Sequence, residues 1–308
     1  MAWTLDNLPD LSDRTLVITG ANSGLGWETT RMLAVRGARV VMACRNQEKA
    51  REAMGRIQAL LPTARLELAT LDLGSLRSIR ACAKDLKARF PAIDVLVNNA
   101  GIMAIPRALT EDGFEVQIGT NHLGHFALTG LLFDALQRGR APRVVNVSSL
   151  VHTMGTLRFD DLMGERSYQK WMAYAQSKLA NLLFTYELQR RLEARGVGMV
   201  SAAAHPGYSS TNLAAVGPQQ EKSAFGAAFM SMGDTMFAQS AERGALPSLY
   251  AAAAPDVASG DYYGPDGLFE VWGRGPKKVS GNAASRDPVT GAKLWEVSEA
   301  LTSVSWLS

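Results

Sequence analysis

The stretch AYAQSKLAN carries the residues with the most specific chemistry. Tyr174 and Lys178 are four positions apart, so on an α-helix they share a face, one turn above the other. A free phenol has a pKa of about 10 and exchanges protons poorly at neutral pH. A neighbouring ammonium stabilises phenolate and lowers that value. Tyr174 and Lys178 then form a general acid–base pair for interconverting a carbonyl and an alcohol. A Tyr and a Lys on a solvated helix face would show the same spacing, so the reading depends on the elements around them.

Those elements alternate. TLVITG, residues 15–20, is a short β-rich run closed by glycine, and a helical pattern follows from Trp27 to Arg36. Between them ANSGLG supplies Gly20, Asn22, Ser23, Gly24, Leu25 and Gly26. Glycines there allow a tight turn and a close approach to a pyrophosphate, and the helix start favours its negative charge. Strands are predicted at 38–45 and 65–71, the second followed by Asp72 and Leu73, with helices at 46–60 and 75–90. IDVLVNNAG is a fourth strand and its turn, with Asn99, Ala100 and Gly101. A helix is predicted from about Glu111 to Gln137, with Asn121 inside it, then a strand RVVNVSS ending at Ser148 and Ser149. The Tyr174 helix runs from about Tyr168 to Arg195, and GMVSAAAHPG is a sixth strand closed by Pro206 and Gly207. Such alternation predicts an α/β, single-domain Rossmann fold: a doubly wound parallel sheet with helices on both faces, over residues 1–308. Asp72 could instead cap a helix, and the Asn pair could simply form a turn. His122 and His125 lack a further ligand at metal spacing, so they read as surface or core histidines and no metal site is predicted.

Beyond Tyr208 the pattern loosens. The segment near 208–238, with Phe225, Phe229, Met230, Met232, Met236 and Phe237, reads either as an apolar flap over the site or as a docked amphipathic helix. A helix near 241–254, a turn-rich GDYYGPDG and a C-terminal helix complete the chain. An apolar fraction of 47% suffices for a large core, and a net charge of +3 is too small and dispersed to point to nucleic acid. Two cysteines do not make a disulfide framework and suit a reducing compartment. With no span-length apolar run and no signal segment, the expectation is a soluble, cytoplasmic protein without a membrane span.

TGANSGLG, Asp72, NNAG, Asn121, VNVSS, Y-A-Q-S-K and HPG occur in the order of the short-chain dehydrogenase/reductase family, which the chain resembles along almost its whole length. ACRN, NVSSLVH, HPG and KLWEVSE are similar to the branch containing retinol dehydrogenases and their bacterial relatives. The resemblance implies roles. Tyr174 exchanges the proton; Lys178 lowers its pKa and binds the nicotinamide ribose; Ser149 holds the substrate oxygen. Asn121 bends its helix and holds a water on Lys178. Gly20, Gly24 and Gly26 surround the pyrophosphate, Asp72 lies near the adenine, and Asn99 lines the cleft. Thr211 reaches the carboxamide. By the same analogy the two long helices after the fourth and fifth strands join copies into a homo-oligomer. No carboxylate stands at 43–47 to accept the ribose hydroxyls that select NAD, whereas Arg45 presents a guanidinium suited to a phosphate. The expected cofactor is therefore NADP (NADPH) rather than NAD, and the expected substrate a lipophilic alcohol, aldehyde or ketone. The alternative is a catalytically silent nucleotide sensor on the same fold.

Overall fold

The structure, a computed structural model, describes residues 3–208 and 239–307. Eight strands form one sheet: β1 (Thr15–Thr19), β2 (Arg39–Cys44), β3 (Arg65–Thr70), β4 (Val95–Asn98), β5 (Arg143–Val147), β6 (Val200–Ala204), β7 (Tyr262–Pro265) and β8 (Pro276–Val279). Their order is β3-β2-β1-β4-β5-β6-β7-β8. The first seven run parallel, and β8 pairs antiparallel with β7, with Tyr262 opposite Val279.

Each central strand is apolar on both faces because both are covered. In β1, Leu16 and Ile18 join one core and Val17 the other, following the two-residue alternation of a strand. The first core is completed by α1 (Gly24–Val35), α2 (Gln47–Leu60) and α6 (Ala241–Ala253). Against the second lie α3 (Leu76–Arg89), α4 and α5 (Lys170–Ala194). Helix α4 has three parts: a turn Val116–Ile118, a π-helical turn Gly119–Leu123, and a regular helix Gly124–Gln137. The short α7 (Ala283–Arg286) and α8 (Pro288–Thr302) follow β8.

Two expectations are corrected. The helix predicted from Glu111 begins at Val116, because Gly113 at φ +85° turns the chain and Leu109 bridges Glu115. The Glu115 carboxylate then caps the helix, accepting from the N–H groups of Gln117 and Ile118. The sheet is not wholly parallel, since β8, sequence PKKV, adds an antiparallel edge. Its leading proline and its lysines hide the strand from a search for apolar alternation, yet they suit an edge.

The C-terminal helix also bears on how copies could meet. Trp295 of α8 and Trp306 beyond it pack against Phe126 of α4, edge-on and tilted, with centroids 5.0 and 5.6 Å away. A Cβ at Gly130 would lie 2.4 Å from the Trp306 ring, so that close approach requires glycine. The faces of α4 and α5 expected to pair subunits are thus partly covered by the chain itself. Among the described residues no helix is long and apolar enough to cross a membrane.

Candidate active site

Parallel strands end at one edge, and the crossovers after β1 and β4 leave a crevice there. At the end of β1, Gly20 (φ +66°) and Gly24 (φ +52°) adopt a left-handed backbone. A Cβ on Gly26 would sit 2.4 Å from the Gly20 carbonyl oxygen, so the helix start packs on the turn only without a side chain. Ser23 holds the N-cap position of α1, yet its side chain caps nothing. By contrast, α2, α3, α5, α6 and α8 each open with a side-chain cap. The turn of Asn22, Ser23, Gly24, Leu25 and Gly26 therefore presents helix N–H groups to an anion, and it fits a dinucleotide pyrophosphate.

Arg45 follows β2 directly; it is exposed and forms no ion pair or hydrogen bond with a described residue. Its neighbour Asn46 instead caps α2. Across the parallel pair, Asp72 follows β3 and accepts from Gly74 N–H at 2.9 Å, while Ser75 caps α3. Capping by Asp72, the other reading of that residue, is not what the structure contains. Leu73 is buried beneath α4, where a Cβ on Gly124 would lie 2.5 Å from its carbonyl.

The turn after β4 is tied down by residues that the sequence did not single out. Thr19 Oγ1 accepts from the N–H groups of Asn99 and Ala100, both at 2.9 Å. It also meets His125 Nε2 at 2.9 Å. His125 Nδ1 faces the Asn121 carbonyl at 3.0 Å and must donate to it, so Nε2 accepts the Thr19 hydroxyl proton. Complete burial holds this imidazole neutral, pushed down to about 4. Asn99 Nδ2 donates to the Thr19 carbonyl at 2.8 Å. Asn121 sits in the π-turn and pairs its amide with both main-chain groups of Ile102, and with Ser177 Oγ, all at 2.9 Å. Ser177 in turn donates to the Tyr174 carbonyl at 2.8 Å. Gly101 lies over this network, and a Cβ there would be 3.2 Å from Asn121 Oδ1 and 3.5 Å from Lys178 Nζ. The threonine ahead of Gly20 and the histidine four residues after Asn121 were the available signals, and both look ordinary in isolation.

Tyr174 and Lys178 point inward from α5, 6% and 4% exposed. Lys178 Nζ stands 5.7 Å from the centre of the Tyr174 ring and donates to the Val147 carbonyl at 3.0 Å. The Ser149 hydroxyl favours ionisation of the Tyr174 phenol, against the larger effect of burial. Ser148 instead donates to the Lys178 carbonyl at 2.8 Å, leaving Ser149 as the serine that faces the tyrosine. The expected lowering of the phenol does not occur: burial pushes Tyr174 up to about 12, partly offset by Ser149. Burial also pushes Lys178 down to about 8. Both groups are taken out of water together, and the ammonium lies beside the ring while bonded to a carbonyl.

Beyond β6, Gly207 (φ +65°) turns the chain under the loop after β7, where a Cβ would lie 2.4 Å from the Val271 oxygen. The preceding Pro206 accepts at its carbonyl from Gln239. Thr211 and the segment read as a flap lie outside the described residues. Among the described residues no three potential metal ligands cluster.

A family profile described as short chain dehydrogenase matches residues 14–222. Retinol dehydrogenase 14 of Mus musculus is 40% identical over 303 residues, covering 94% of this chain and 86% of that protein. A crystal structure of an uncharacterized protein from Mycobacterium paratuberculosis is 44% identical with a TM-score of 0.81, covering 99% of both chains. An NAD(P)-dependent gluconate 5-dehydrogenase structure from Beutenbergia cavernae, with bound NADP, is 26% identical with a TM-score of 0.61, covering 81% of this chain and 93% of that one. The chain belongs to the short-chain dehydrogenase/reductase family, in its retinol dehydrogenase-like branch, and is a nicotinamide-dependent oxidoreductase of the CH–OH group.

Proposed function

We propose that the enzyme uses NADP(H) to interconvert a lipophilic alcohol with its aldehyde or ketone. The observation that carries this reading is the half-buried Ser149 at the end of β5 with the buried Tyr174 and Lys178 of α5, in the same fold as a dinucleotide-shaped turn and an exposed Arg45 that pairs with no described residue. When bound, the nicotinamide supplies or takes up the hydride. Gly20, Gly24 and Gly26 admit the pyrophosphate, Arg45 meets a 2′-phosphate, and Asp72 and Asn99 flank the adenosine and the cleft.

In the reducing direction negative charge develops on the substrate oxygen. Ser149 and Tyr174 are the donors that face it, Tyr174 already buried and Ser149 half-buried. Burial keeps the Tyr174 phenol protonated at neutral pH, the form able to give its proton to an alkoxide. Lys178, one turn away, is the cation beside the phenolate left behind. Support for an apolar substrate comes from the loop after β7, where Leu268, Phe269 and Trp272 are 66%, 80% and 45% exposed. That loop meets the mouth of the site through Tyr208 N–H, which donates to the Val271 carbonyl at 2.7 Å. The name of the murine relative points the same way. Pairing of copies through α4 and α5 would use the parts of those faces that Trp295 and Trp306 leave uncovered.

One experiment tests cofactor and substrate together: consumption of NADPH and of NADH by wild type and Arg45→Ala, against aliphatic aldehydes of increasing length. Arg45→Ala should weaken NADPH binding by about 1.5–3 kcal/mol, the worth of a charged hydrogen bond, and leave NADH nearly unchanged. Each added CH₂ should raise kcat/KM by up to about fourfold, the equivalent of ~0.8 kcal/mol. A wild type that prefers NADH, or a flat response to chain length, removes the corresponding half of the reading.

A further inference from the structure

Ser149 closes β5 and opens the 3-10 turn Leu150–Met154. Its hydroxyl is held within the protein by little: Val151 N–H approaches it at 3.4 Å. Its carbonyl is held firmly, by two donors from His152. The main-chain N–H lies 3.1 Å away and the ring Nδ1 2.7 Å. A carbonyl only accepts, so the ring proton is on Nδ1 and Nε2 carries the lone pair. His152 is 2% exposed, and Nε2 has no hydrogen-bond partner among the described residues. The ring is fixed edge-on to Tyr262, with centroids 5.8 Å apart. Burial also holds the imidazole below its ordinary range, in the neutral form. An apolar ring could fill the same space without stranding a buried nitrogen. What it could not do is donate to Ser149.

We propose that His152 is a positioning residue for the oxidoreduction, its Nδ1–H clamping the Ser149 carbonyl so that the Ser149 hydroxyl stays beside the Tyr174 phenol. The inference rests on the reading of Ser149 and Tyr174 as the groups that hold the substrate oxygen. It adds a requirement that the motif NVSSLVH contains and the proton-transfer residues do not explain. The role belongs to one nitrogen of the ring, and that makes it separable from packing.

Three substitutions separate the nitrogens. His152→Asn puts an amide N–H where Nδ1 stands, His152→Gln extends toward Nε2, and His152→Phe keeps a ring with neither. His152→Phe should lower kcat for aldehyde reduction by roughly ten- to a hundredfold, as expected when a reacting group is misplaced by about an ångström. The KM for NADPH should stay at its wild-type value, because the clamp touches no cofactor-binding residue. Asn should recover most of the lost kcat and Gln should not. Imidazole nitrogen NMR of the wild type should show a protonated Nδ1 and a bare Nε2 at neutral pH. A His152→Phe enzyme with wild-type kcat overturns the proposal, as does recovery by Gln without recovery by Asn, or a protonated Nε2. If the Phe variant does not fold, the Asn–Gln pair and the NMR tautomer still decide. A wild type inert toward every aldehyde with either cofactor overturns the function reading and this inference together. An active wild type with an active Phe variant overturns this inference alone.

Discussion

The two flanks of the Tyr174 helix differ in how their polar atoms are paired. On the β1–β4 flank, the buried side-chain atoms of Thr19, Asn99, Asn121 and His125 find partners within the protein. On the β5–β7 flank, His152 Nε2 and the hydroxyls of Tyr186 and Tyr262 are buried with none. An unmet buried group costs about 1–3 kcal/mol, so the contrast is one of design as well as of geometry. The first flank is a frame paired around the turns after β1 and β4, with Asn98 Oδ1 of β4 as a buried atom left unmet among the described residues. The second keeps unmet hydrogen-bonding capacity near Ser149.

The largest effect should come from the group the two flanks share. Tyr174→Phe removes a hydroxyl and leaves the frame untouched. Turnover should fall by about 10²–10⁴, the usual worth of general acid catalysis, with cofactor affinity and Tm near wild type. Steady-state kinetics beside cofactor titration checks this. A variant with near-normal kcat at saturating substrate would mean another group supplies the proton.

Next in size is a break in the frame. Thr19→Val keeps the shape of the side chain and strands His125 Nε2 together with the N–H groups of Asn99 and Ala100. Equilibrium urea unfolding should show a loss of about 2–4 kcal/mol, from two or more unmet buried groups. A loss below about 0.5 kcal/mol, the scale of an ordinary surface substitution, would show that the flank is not the rigid one.

How much of this was legible depends on which interactions were local. The strand–glycine–helix unit, the strand ends and the Tyr174–Lys178 spacing are written within a few residues each, and the structure places them as read. Thr19 and His125 are 106 positions apart, and neither has a periodicity or a turn signature that announces the pair. The edge strand β8 escaped because an edge is made by lysines and proline, the residues that argue against a strand elsewhere. The pKa of Tyr174 was misjudged because spacing gives the neighbour and not the burial, and burial is the larger influence here.

A smaller, pH-dependent effect reads the shared helix directly. Lys178 is lowered from 10.5 to about 8 by burial, so its folded value lies below its unfolded one. Between those values the unfolded chain holds a proton that the folded chain has lost; stability therefore rises with pH across that window, and the burial cost is fully present below it. For catalysis the sign is opposite. The ammonium beside the nascent phenolate is lost as pH rises, so kcat for aldehyde reduction should reach half its plateau near pH 8. Lys178→Arg keeps a permanent charge and should abolish that alkaline limb, at a lower plateau because the guanidinium fits differently. An unchanged limb in the arginine variant would assign the titration elsewhere.

The smallest expected effect is the sharpest test of the contrast between the flanks. Tyr262 stands in β7, 1% exposed, its ring between those of His152 and His205. Its hydroxyl has no hydrogen-bond partner among the described residues. Tyr262→Phe deletes that oxygen and nothing else. Removing an unmet buried group returns its desolvation cost, so stability should change by less than about 1 kcal/mol and in either direction. The same chemical deletion, one hydroxyl, thus costs several-fold more at Thr19 than at Tyr262 because one hydroxyl accepts twice and donates once while the other is idle. Urea unfolding of both variants under one set of conditions makes the comparison. If Tyr262→Phe costs as much as Thr19→Val, the β5–β7 flank is as fully paired as its counterpart, and the capacity around Ser149 is not there.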